Sequence, residues 1–146
     1  MSHGQPAEAG CYIDAEWIST PATFEVTNPA TGDVVGVAAD AGPEVATAAI
    51  GAAHCAVGSW ADSTAQDRAV VIRRVSAELL AELDHIADII VAEQGKPRGQ
   101  ALFEVRYATQ WLDWFAEEGR RSYGEVIPTH IPGKSLIVQQ KPLGVA

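Results

Sequence analysis

Positive charge is scarce in this chain: 10 lysines and arginines stand against 19 aspartates and glutamates, a formal net charge of −9. An acidic surface repels phosphate backbones and anionic lipid, which argues against nucleic acid and membrane partners. Cysteine is almost absent. Cys11 and Cys55 form no CxxC, and their separation suggests neither a disulfide framework nor a zinc site. The histidines, at positions 3, 54, 85 and 130, lack metal-ligand spacing. No stretch approaches the roughly 20 apolar residues that span a bilayer. The opening MSHGQPAEAG has neither the basic nor the apolar region of a signal peptide. A reducing cytoplasm is the expected location.

What is present suits one globular domain: 146 residues, 47% of them apolar and 20% charged. Residues 1–10 are small and polar and are expected to be disordered, leaving 11–146 as the folded part. Cys11 to Ile18 reads as a tight hairpin around Asp14-Ala15-Glu16. Phe24 to Thr27 and Val34 to Ala38 read as strands, separated by the turn residues Asn28-Pro29 and Thr31-Gly32. Pro43 and Glu44 open a helix, along which Val45, Ala48, Ala52 and Cys55 recur at helical spacing until Gly58 and Trp60. Ser63-Thr-Ala-Gln66 has the form of a capping box. Behind it, Ile72, Val75, Leu79, Leu83, Ile86 and Ile90 predict one long helix ending at Gly95, with Pro97 just beyond. A third helix carries Ala101, Val105, Ala108, Leu112 and Phe115 and stops before Gly124. Ile127 to Lys134 is loop, Leu136 to Gln140 a strand, and a new apolar run opens at Lys141. The order is strands, three helices, strands: an α/β fold.

Each candidate for chemistry meets a plainer alternative. The stretch AEQGKPRGQALFEV, residues 92–105, holds Gly95-Lys96 but not the GxxxxGK plus Ser or Thr of a phosphate loop, and Pro97 lacks the N–H such a cradle needs. A helix–helix corner explains its glycine and proline better. Glu93 and Glu104 flank that corner and could converge, but most helical glutamates are solvated or pair with a base, and Arg98 and Arg106 are at hand. Cys55 follows His54, yet neighbouring helical residues point about 100° apart, so the histidine is badly placed to activate the thiol. Cys55 falls on the apolar stripe, where a small buried thiol is the usual reading. Tyr107, Trp111, Trp114 and Phe115 share one helix face. Without interleaved basic residues they are core or interface rather than a base-stacking platform. The residues alone yield no complete active site.

Several spaced motifs together resemble the N-terminal part of an aldehyde dehydrogenase. They run from Tyr12-Ile-Asp-Ala-Glu-Trp17 through Phe24-Glu-Val-Thr-Asn28-Pro29-Ala-Thr-Gly32-Asp33, Trp60 and Arg68. They continue with Glu93-Gln-Gly95-Lys96-Pro97, Glu104-Val105, Gly124-Glu-Val-Ile-Pro128 and Pro142-Leu-Gly144-Val145. Each is weak alone; their order and spacing carry the resemblance, which covers residues 11–146. The Glu-Gln-Gly-Lys-Pro form, with Trp114-Phe115 after it, is most similar to the succinate-semialdehyde dehydrogenase branch.

The resemblance implies an enzyme that oxidises an aldehyde to a carboxylate with NAD or NADP through a cysteine thiolate, and a homo-oligomer when complete. It implies an N-terminal fragment of that fold: leading strands, three helices, then a strand pair of the bridging, oligomer-forming part at 127–141. Asn28, Pro29, Gly32, Glu93, Gly95, Lys96, Pro97, Glu104 and Gly144 match the family's structural motifs. Thr27, Asn28 and Glu93 lie where some members hold a monovalent cation. No catalytic or cofactor-binding role carries onto any residue here, and this chain alone is expected to bind no cofactor and to be inactive. Ala15 stands where the family usually has glycine, at a cost of roughly 1 kcal/mol if the turn needs a positive φ. Bare strand edges and helix faces would favour aggregation or borrowed partners. A rival expectation is a binding module that docks onto a full-length relative through the bridging strands.

Overall fold

The computed structural model describes residues 7–146. Strand β1 (Ala7–Ala9) is followed by a hairpin of β2 (Cys11–Ile13) and β3 (Glu16–Ile18). Then come β4 (Thr23–Thr27) and β5 (Val34–Ala39). Four helices follow: α1 (Pro43–Asp62), α2 (Ala65–Ala81), α3 (Leu83–Gln94) and α4 (Arg98–Gly119). A ribbon of β6 (Glu125–Ile127) and β7 (Leu136–Val138) closes the order. This is the expected α/β arrangement, with the strand pair at 125–127 and 136–138.

Strand β5 is the centre of the first sheet. It pairs antiparallel with β4 and parallel with β1, Ala7 opposite Gly36. The polar composition of residues 1–10 hid this strand. Backbone groups supply the pairing, and short alanine-rich segments show no alternation to read. The rest of that segment lies outside the described residues.

The hairpin turns on Asp14 and Ala15, with φ of 51° and 65°. Two consecutive left-handed residues match the right-handed strand twist of a two-residue hairpin loop. The condition set on Ala15 is therefore met: an alanine occupies a backbone that favours glycine.

Where one long helix was expected there are two. Glu82, at φ −95° and ψ 14°, interrupts the chain between α2 and α3. No glycine or proline marks the break, so periodicity runs straight across it. The bend keeps both segments on α4, against which each packs. The cap of α2 also shifts by one residue. The hydroxyl of Thr64 accepts from the N–H of Asp67 at 3.1 Å, and the Asp67 carboxylate accepts from the N–H of Thr64 at 3.2 Å. Thr64 and Asp67 make the capping box, not Ser63 and Gln66.

The core is built from small side chains. Ala69, Ala87, Ala101, Val105 and Ala116 are its buried apolar members, with Ser76 and Thr109. Their size lets α2 and α4 approach closely, and the Ser76 hydroxyl donates across to the Thr109 carbonyl at 3.4 Å. No large side chain among the described residues is fully buried. Helix α1 buries nothing, and Cys55 on it is exposed. The expectation of a buried thiol fails: Val45 and Ala52 are half-buried and α1 touches β2, but Ala48 and Cys55 on the same stripe stay exposed.

Candidate functional site

The segment 94–98 is the predicted helix corner. Helix α3 stops at Gln94, and Gly95 takes the left-handed conformation, φ 67° and ψ 16°, while its N–H still reaches the Val91 carbonyl. Pro97 leads into α4 at φ −56°, a value its ring already imposes. The Lys96 ammonium pairs with the Glu104 carboxylate, tying the corner to the second turn of α4.

Arg98 makes the second tie. Its Nη2 donates to Asp84 at 2.6 Å and its Nε to Asp88 at 2.8 Å. The hydrogen bond to Asp84, then that to Asp88, raises the guanidinium pKa further above its ordinary value, so it stays charged. Asp84 and Asp88 stand one turn apart on α3 and present one face, which is the sequence signal for this clamp. Glu93, the other glutamate flanking the corner, is exposed and makes no ion pair among the described residues.

The β4–β5 turn lies against this corner. The Asn28 Oδ1 accepts from the Ala30 N–H at 2.9 Å, its carbonyl accepts from Gly32, and its N–H donates to the Asp33 carbonyl. Gly32 supplies the positive φ, 79°. Pro29 then reaches Gly95: a Cβ placed on Gly95 would stand 3.0 Å from its Cγ. Asn28, Pro29, Gly32, Gly95, Lys96, Pro97 and Glu104 thus gather at one junction of strand turn and helices. Both oxygens of Asn28 are already engaged as acceptors within the turn, and Thr27 is held in the β4–β5 ladder. Among the described residues no three His, Cys, Asp or Glu side chains group to hold a metal ion.

Gly144 sits elsewhere. It lines a groove of about 470 Å³ with Trp60, Arg68, Arg120 and Lys141. Arg68 braces that groove through its Nη1, which donates to the Ser63 carbonyl and hydroxyl. Sequence reasoning had placed Arg68 only by resemblance. A second hollow, of about 420 Å³, opens on α4 between Tyr107, Gln110, Trp111 and Trp114.

The junction binds helices together and holds no nucleophile paired with a base. Residues 92–105 form the expected helix–helix corner, with glycine and proline at the break; the strand turn packed against it is a finding of the fold. The chain belongs to the aldehyde dehydrogenase family, which matches residues 17–146.

Among its relatives is a glutarate-semialdehyde dehydrogenase of Pseudomonas putida, 41% identical over 136 residues, covering 92% of this chain and 28% of that protein. A succinate-semialdehyde dehydrogenase of Escherichia coli, specified for NADP(+), is 40% identical over 135 residues, covering 91% of this chain and 28% of that protein. Among solved structures, the succinate-semialdehyde dehydrogenase of Burkholderia pseudomallei superposes with a TM-score of 0.85 at 39% identity, over 88% of this chain and 27% of that one. The chain thus spans a little over a quarter of the length of the relatives it matches.

Proposed function

We propose that this chain is the N-terminal part of a dehydrogenase that oxidises a semialdehyde, succinate semialdehyde or its close homologue, to a dicarboxylate. The observation that carries the reading is its 40% and 41% identity to succinate- and glutarate-semialdehyde dehydrogenases along nearly the whole chain. In this reading the chain supplies scaffold. The clamp at Gly95 and the layer of α2, α3 and α4 fix the position of elements that carry the chemistry.

The complete enzyme would use NAD or NADP as hydride acceptor. The described residues offer no glycine-rich phosphate cradle, so no step through that cofactor is assigned to them. Cys11 and Cys55 are not the nucleophile in this reading, and the chain by itself is inactive.

The test supplies succinate semialdehyde or glutarate semialdehyde, with NAD or NADP, to the purified chain and to a fusion joining it to the remainder of the P. putida relative. The chain alone should reduce no cofactor above a buffer control. The fusion should reduce it with a semialdehyde. Turnover by the chain alone would sink the inactivity. A folded fusion that ignores semialdehydes but oxidises other aldehydes would sink the substrate class.

The second reading, a module that docks onto a full-length relative, draws on the β6–β7 ribbon, where Val126 is 76% and Ile137 67% exposed. Co-purification with a full-length dehydrogenase that survives removal of residues 125–138 would refute it.

A further inference from the structure

We draw no further inference here: the strongest candidate, the exposed aromatic face of α4 formed by Phe103, Tyr107, Trp111, Trp114 and Phe115, carries nothing, because nothing in the structure shows what covers it.

Discussion

Pro29 and Gly95 meet across the junction of sheet and helices: the proline ring occupies the space that any side chain at position 95 would need. A Cβ there would come within 3.0 Å of the Pro29 Cγ, on a backbone already at φ 67°. Two independent constraints therefore select glycine. The left-handed backbone is one and the proline is the other.

Gly95→Ala should lower stability by about 1–2 kcal/mol from the backbone alone, with a further loss from the contact. Urea unfolding followed by circular dichroism measures both. In a Pro29→Ala background the same substitution should cost less, because only the backbone penalty remains. Equal costs in the two backgrounds would mean that the proline gives way freely and that the contact has no energetic weight.

Ala15 offers the converse. It holds φ 65° in a two-residue turn, where glycine fits without strain. Ala15→Gly should raise stability by about 1 kcal/mol, read as a shift of the urea midpoint at constant slope. A loss of stability instead would mean that the entropy of a freer unfolded chain outweighs the relief of strain.

The start of α2 should show in the acid limb of unfolding. The hydrogen bond from the Thr64 side chain, then that from the Thr64 backbone, holds the Asp67 carboxyl below its ordinary pKa. A carboxylate whose pKa is lower when folded adds stability at neutral pH and loses it as pH falls through the acid range. Thr64→Ala should cost about 1 kcal/mol at neutral pH, typical for a helix cap, and Asp67→Asn should flatten the acid dependence. An unchanged acid profile in Asp67→Asn would show that other carboxylates govern it.

Features that depend on one residue's backbone were legible before the fold was seen. The stop at Gly95 and the turn at Asn28 through Gly32 each follow from conformations that few residue types allow, and the strand formers on either side marked the hairpin at Asp14-Ala15. Features that depend on a distant partner were not. Nothing local at Glu82 marks the break between α2 and α3; its bend answers to α4. Cys55 repeats at helical spacing yet stays exposed, because spacing defines a face without saying whether anything covers it.

The amino-acid sequence by itself determined the turns, the helix stop at Gly95 and the family, since these rest on backbone permissions and on the order of motifs. Tertiary structure decided which face of α4 points inward. Both of its faces repeat with helical period, one small and one aromatic. Close approach of α2 and α3 selects the small one, because alanine, serine, threonine and valine let the backbones come near enough to pack. The aromatic face, with Tyr107, Trp111 and Phe115, is left outside.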